Sequence, residues 1–359
     1  MKIIPAAKPM IGKAERKAVN RVMKSGLLAQ GSEVANFEKE FSNFVEGREC
    51  VAVNSGTSAL HIALLTLGVG KGDEVIVPSF TFAATANSVA LTGATPVFVD
   101  IDPRTFCIDP LAIAQAITSK TKAIQVVHLY GLPAEMPEII KIAKKHKLLV
   151  IEDAAQAHLA SIQGKPVGTF GDAAAFSFYP TKNMTSGEGG MIVYKNPSAA
   201  RIARLYRNQG MEKRYENEIV GFNLRMTDIH AAIGRVQLSN LVKKTKKRQE
   251  NAAYLSEKIF NSVSVPFVPN GFSHVFHQYT VKVEGNRDSF AQRLSESGVG
   301  SGVYYPTPVR LLPAFNKKKN LPNTSLACKQ VLSLPIHPGL SSKDLRTIVN
   351  VVNMTSDLK

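Results

Sequence analysis

This sequence predicts an α/β protein: a large domain, residues 1–240, carrying a mainly parallel sheet of roughly seven strands, and a smaller α+β domain, residues 241–359. Three observations predict it. Short apolar runs alternate with helix-period segments from Cys50 to Tyr194, which is the pattern of strand–helix–strand units. One run, Leu148 to Ile151, leads directly into Glu152 and Asp153, and open α/β sheets bind ligands at the carboxyl ends of their strands. Near Asn240, LVKKTKKRQENAAYLSEKIF reads as a long basic helix leading out of the first domain.

With 359 residues, 44% of them hydrophobic, the chain can bury a sizeable core. Lys+Arg 44 against Asp+Glu 28 gives a net charge of +16, which favours anionic ligands or nucleic acid and says little about fold. Cys50, Cys107 and Cys328 are odd in number, far apart and without a C-x-x-C pair, so neither a disulfide framework nor a zinc site is indicated. Pro5, Lys8 and Pro9 interrupt the amino terminus before a signal-peptide core forms. No run approaches the roughly 20 apolar residues of a membrane helix. The expectation is a soluble cytoplasmic protein without membrane contact.

In chain order, Val34, Phe37, Phe41 and Phe44 share one face of a helix and read as core. CVAVNSGTSALHIALLTLG is a strand, the turn Asn54 to Ser58, and an amphipathic helix. Glu74 to Val77 is a strand, Phe82 to Gly93 a helix, and Pro96 to Val99 and Ala123 to Val127 are further strands. Glu135 to His146 is a crossover helix ahead of the Leu148 strand. Ala173 to Tyr179, bounded by Gly171 and Pro180, is a buried strand, and Met191 to Tyr194 another. A basic helix runs from Pro197 to Gly210, and Gly221 to Asn223 is a turn before the helix Asp228 to Leu238. In the second domain HQYTVKVEG is a strand, Asp288 to Glu296 a helix, and GVGSGVYYP a strand.

Chemistry concentrates in DAAAFSFYPTKNMTSGEGG, Asp172 to Gly190, centred on Lys182. A lysine directly after a buried strand either snorkels to the surface or is held for its amine. Its company favours the amine. Asp153 ends one strand, and Asn54 to Ser58, with Gly56 and Thr57, opens a helix whose backbone N–H groups and neighbouring hydroxyls suit a phosphate. A phosphate cradle, an acid and a turn-borne lysine suit pyridoxal phosphate, whose aldehyde needs an amine and whose ring nitrogen needs a carboxylate. His128, His146 and His158 lack the H-E-x-x-H spacing, so no metal is expected. Gly187, Gly189 and Gly190 match neither a dinucleotide nor a Walker pattern and read as turning backbone. Lys243, Lys244, Lys246, Lys247 and Arg248 read as a solvated helix face, and no helix-turn-helix or zinc pattern supports nucleic-acid binding.

NSGTSALHIAL, PSFTFAATANSVALTGATPVFVDID, VIEDAAQAHLA, FSFYPTKN with GEGG, and GFNLRMTDIHAAIGRVQL occur in this order. On these motifs the chain resembles the DegT/DnrJ/EryC1/StrS family of sugar aminotransferases, from Pro9 to about Val351. The resemblance implies a pyridoxal-phosphate-dependent transferase of fold type I, a homodimer with shared active sites. It implies ping-pong transfer of an amino group from an amino acid, usually glutamate, to a keto-sugar nucleotide in amino-sugar and polysaccharide biosynthesis. It implies that Lys182 holds the cofactor and shuttles the proton, and that Asp153 pairs with the ring nitrogen.

By residue type alone, Phe82 fits a core position, Ser177 a hydrogen-bonded strand serine, and Gln156 a polar helix residue. The resemblance instead places Phe82 against the cofactor ring, Ser177 on its phosphate, and Gln156 near its hydroxyl and the substrate. Asn223 would reach across the dimer interface to the partner's cofactor phosphate, and Arg225 would face the substrate or its amino donor. Many members carry histidine in the positions of Tyr304 and Arg310, where this chain has VYYPTPVRLL. That departure touches the sugar side and leaves the pyridoxal chemistry intact. Arg310 suits either a bidentate contact to a carboxylate or phosphate, or a surface position. Three alternatives stand beside this reading: a dehydratase, whose relatives carry histidine in the place of Lys182; an amino-acid aminotransferase of the same fold; and a DNA-associated regulator.

Overall fold

Seven strands form one sheet in the computed structural model, which describes residues 3–260 and 263–356. They are β1 (Glu49–Val53), β2 (Glu74–Pro78), β3 (Thr95–Val99), β4 (Thr121–Val127), β5 (Leu149–Asp153), β6 (Ala173–Ser177) and β7 (Gly190–Tyr194). Their spatial order is β1-β7-β6-β5-β4-β2-β3. The five strands from β6 to β3 are parallel, and β7 runs antiparallel to both of its neighbours. Every strand expected from the apolar runs of the first domain is present. Because helices cover both faces, the central strands are buried in continuous runs rather than on alternate residues, and all of β6 is buried.

Seven helices pack on this sheet among the described residues: α2 (Ser32–Ser42), α3 (Gly56–Thr66), α4 (Ala83–Leu91), α5 (Pro110–Ala116), α6 (Met136–His146), α7 (Pro197–Arg207) and α8 (Asp228–Ser239), while α1 (Lys13–Ser25) packs on α8 through Ala18, Val22 and Ala232. On one face, residues of α3, α4 and α7 share a core with Val51, Val75, Ile151 and Ala175. On the other, α2 and α8 meet Ala52, Ala174 and Phe176, and α5 and α6 meet Ile76, Ile124 and Val150. The aromatic face of α2 is core, as expected: Phe41 lies 5.1 Å from Phe176, and Phe37 5.1 Å from Phe178. Gly234 of α8 makes room for it, since a Cβ there would come within 2.8 Å of the Phe37 ring. The first turn of α2 has no side-chain cap of its own. Asp228, at the start of α8, accepts from the N–H groups of Gly31 (2.7 Å) and Val34 (3.1 Å) in its place.

Past α8, the long helix α9 (Leu241–Lys258) leads to a three-stranded antiparallel sheet of β8 (Val263–Ser264), β9 (Tyr279–Val283) and β10 (Val331–Leu334). Helices α10 (Arg287–Glu296), α11 (Pro322–Gln330) and α12 (Ser342–Ser356) accompany it. Leu255, Tyr279, Val281, Phe290, Leu332 and Ile348 make its core. The expected strand GVGSGVYYP is a correction: it holds only isolated bridges, Val299 to Ile4 and Gly302 to Ser333. Its three glycines weaken a strand, and the sheet position goes to Val331–Leu334, a four-residue run that follows a helix without turn residues to announce it. Two segments cross between the cores. Ile4 packs with the second-domain core, while Val309, Leu321 and Ala327 pack against the first.

Candidate active site

A cavity of about 560 Å³ opens at the carboxyl ends of β4, β5 and β6, where open α/β sheets bind ligands. Gly56, Thr57 and Phe82 line it from the large-domain helix starts. Asp153, Gln156, Ser177 and Lys182 line it from the strand ends and the turns after them.

At one end is the start of α3. Ser55 caps the helix by accepting from the Ser58 N–H (3.1 Å), and the Ser58 hydroxyl donates to Asn54 Oδ1 (2.7 Å). The N–H groups of Gly56 and Thr57 are the first two of the helix and have no carbonyl to meet within it. A Cβ on Gly56 would lie 2.7 Å from Ser177 Cβ. Only glycine therefore lets the end of β6 bring the Ser177 hydroxyl against the helix start, an arrangement whose free N–H groups and hydroxyl suit an anion.

Asp153 is 5% exposed. Its Oδ2 accepts from the Thr85 hydroxyl (2.8 Å) and its Oδ1 from the Ala155 N–H (3.2 Å). Burial pushes its carboxyl above the ordinary value, and Thr85, Ala155 and the charge of Lys182 only partly oppose this. A buried carboxylate held by neutral donors suits a cationic ring N–H. The adjacent Glu152 points to the opposite face, as strand alternation requires. It meets His128 Nε2 at 3.0 Å and accepts from the N–H groups of Gly168, Phe170 and Gly171 at 2.8 to 2.9 Å. His128 Nδ1 accepts from the Ala134 N–H, so its proton is on Nε2 and is donated to Glu152. Burial would raise the Glu152 carboxyl, but His128 and these amides hold it below the usual range. Glu152 thus anchors the strand, while Asp153 faces the cavity.

Lys182 sits on the turn after β6, its N–H bonded to the Tyr179 carbonyl at 2.9 Å. Burial lowers its amine from 10.5 to about 8, against the pull of Asp153. In the cofactor-free protein, acetylation of Lys182 should therefore rise with pH through a midpoint near 8, where the ammonium loses its proton, whereas exposed lysines titrate near 10.4. Trace labelling with peptide mass spectrometry reads both. A midpoint at the exposed value would show that the site does not tune this amine.

Phe82 is 58% exposed, which decides against a core role; its ring lies 6.0 Å from that of Tyr305, tilted by 35°. Gln156 is oriented at both ends of its amide: Oε1 accepts from the Tyr130 N–H (2.7 Å), and Nε2 donates to the Tyr305 hydroxyl (3.2 Å). Tyr304 and Tyr305 both line the cavity. Arg310 does not. It is buried, donating to the Lys319 carbonyl (2.7 Å) and the Ser325 hydroxyl (3.1 Å), so it is neither a surface arginine nor part of the cavity wall. Asn223 is exposed and Arg225 bonds Asn208 at 2.8 Å; neither lines the cavity of its own chain. Thr85, Tyr305, His277 and Gln278 join the site without having been anticipated. The pair Thr81 and Thr85, four apart at a helix start, offered a local signal; the other three arrive from distant sequence and offered none.

A model of the DegT/DnrJ/EryC1/StrS aminotransferase family matches residues 9–353. The chain is 42% identical over 345 residues to a protein named pleiotropic regulatory protein from Geobacillus stearothermophilus, spanning 94% of this chain and 92% of that one. It is 41% identical over 357 residues to GDP-perosamine synthase of Caulobacter vibrioides, spanning 96% of each. Among solved structures, a putative sugar aminotransferase from Streptococcus pneumoniae in its PLP form superposes with a TM-score of 0.95 at 28% identity, over 99% of both chains.

Proposed function

The chain belongs to the DegT/DnrJ/EryC1/StrS aminotransferase family, and from that premise we propose that it transfers an amino group from an amino acid, L-glutamate, to a keto-sugar nucleotide in amino-sugar biosynthesis. The observation that carries the reading is one cavity in which a lysine amine lowered to about 8, a buried carboxylate and an open helix start face one another. These residues fit pyridoxal phosphate. When bound, the cofactor supplies an aldehyde carbon that takes up amines and a ring that withdraws electrons from the carbon beside the nitrogen.

The protein's own part follows from the geometry. The Gly56 and Thr57 N–H groups and the Ser177 hydroxyl hold the phosphate. Asp153, kept in place by Thr85 and Ala155, accepts the ring N–H and keeps that nitrogen protonated. Phe82 covers one ring face and excludes water from it. Gln156, fixed by Tyr130 and Tyr305, sits at the ring hydroxyl. Lys182, with an amine near 8 and so partly neutral at physiological pH, takes the proton from Cα of the amino donor. A lysine here, rather than a histidine, favours amino transfer over dehydration.

Among the described residues, the cavity lining of one chain holds a single lysine, Lys182, and no arginine. A dicarboxylate donor and a nucleotide diphosphate both call for more positive charge. This supports a homodimer with shared sites, in which Asn223 and Arg225, outside their own cavity, serve the partner's. A boundary at 240/241 between α8 and α9 separates the cofactor-binding domain from the small domain. No helix of the described residues is long and apolar enough to cross a membrane, and a cytoplasmic location suits a nucleotide-sugar substrate. The name of the Geobacillus relative raises regulation, but the basic cluster of α9 gives it little support. Arg248 is buried against the carbonyl of Phe276 and Lys244 bonds Gln237, which leaves Lys243, Lys246 and Lys247 as an ordinary solvated face.

The test is spectroscopic. Glutamate should shift the absorption of the purified holoprotein to the amine form of the cofactor, and one member of a panel of nucleotide-linked 3-keto and 4-keto hexoses should restore it. Restoration by 2-oxo acids alone would identify an amino-acid aminotransferase instead.

A further inference from the structure

His277 and Gln278 stand on the cavity wall, just before β9, and the residues assigned above do not use them. His277 is 7% exposed and lines the cavity; its Nδ1 is sealed from solvent without a hydrogen-bond partner, so Nε2 is the ring nitrogen left for a ligand. The Gln278 amide has its Oε1 sealed and unpartnered in the same way, with its other end left for the cavity. No hydrogen bond among the described residues engages either side chain, although both line the cavity, so their unsealed ends are available to a ligand there.

The segment carrying them is clamped. The Val275 N–H bonds the Gly131 carbonyl (3.0 Å) and the Gln278 N–H bonds the Tyr130 carbonyl (3.2 Å). Gly131, at φ +97°, permits this approach, because a Cβ there would lie 2.8 Å from Val275 Cγ2 and 3.0 Å from the His277 backbone nitrogen. Tyr130 also donates its N–H to Gln156, so the segment is held in register with the cofactor end of the cavity.

Resting on the aminotransferase reading above, we propose that His277 and Gln278 are specificity-determining residues that bind uncharged oxygens of the keto-sugar, a hydroxyl or the carbonyl, through the cavity-facing ends of their side chains. Burial and the positive charges of Lys182 and Arg248 keep the imidazole neutral. A neutral imidazole and an amide suit hydroxyl and carbonyl oxygens. A carboxylate would be matched by guanidinium, and the described residues of the cavity lining include none.

The test compares His277→Phe and Gln278→Met with wild-type holoprotein, using the keto-sugar nucleotide that restores the wild-type spectrum. Calorimetry on the cofactor-free proteins should show that nucleotide binding about tenfold more weakly in each variant. In single-turnover absorption measurements, the sugar half-reaction should fall at least about tenfold further than the glutamate half-reaction. His277→Gln, which returns an amide near the position of Nε2, should recover part of the loss. Equal losses in both half-reactions, or His277→Gln as poor as His277→Phe with a lowered Tm, would reduce the pair to structural residues and overturn the proposal. So would a loss confined to glutamate, or no loss at all. If no keto-sugar nucleotide restores the wild-type protein, the aminotransferase reading itself falls; if wild type is restored and the variants match it, only the role of this pair falls.

Discussion

Lys182→Ala should abolish amino transfer, with loss of about 10⁴-fold or more, and should remove the absorption band of the lysine-bound cofactor. The substitution deletes both the amine that holds the cofactor and the base at the donor's Cα. It also deletes the one lysine in the cavity lining among the described residues, so the buried Asp153 carboxyl, already raised by burial, loses one of the charges that oppose that rise. The anion cradle is untouched, because the start of α3 and Ser177 depend on Gly56 and not on the lysine. Pyridoxamine phosphate should therefore still bind, as measured by calorimetry, while both half-reactions vanish. Retained turnover of either half-reaction would sink the assignment of Lys182.

Asp153→Asn should leave cofactor binding largely in place and slow both half-reactions by about a thousandfold, roughly 4 kcal/mol of transition-state stabilisation. An asparagine keeps the volume and can accept from Thr85, but it carries no charge to hold a proton on the ring nitrogen. Because the site is buried, water does not make up the difference. The measurement is single-turnover kinetics with each substrate, and wild-type rates would show that another group pairs with the ring. A strong loss of cofactor affinity without a rate defect would likewise assign Asp153 to binding alone.

Much of this site was legible in one dimension because each part sits at a break in secondary structure. The acids at the end of β5, the serine and glycine at the start of α3 and the lysine after β6 all lie where a strand's apolar run stops, and those breaks show in the chain. The difference between Glu152 and Asp153 was legible only in part. Adjacent strand residues must face opposite ways, but which of the two faces the cavity depends on His128 and the loop from Gly168 to Gly171, which close around Glu152. Phe82 read as core by pattern alone, and only its exposure in the folded chain overturned that reading.

The seven strands, the crossover helices, the order of the motifs and the family to which they belong could all be read from the chain alone, because hydrophobic period and turn chemistry are local properties. Tertiary structure alone decided that Arg310 is buried against Lys319 and Ser325, that the last sheet strand is Val331–Leu334 rather than the glycine-rich stretch before it, and that His277, Gln278 and Tyr305 line one cavity with Lys182. Contacts between residues a hundred positions apart are set by packing of whole elements, through which strands pair and which loops a glycine such as Gly131 allows to touch. No local pattern records that packing.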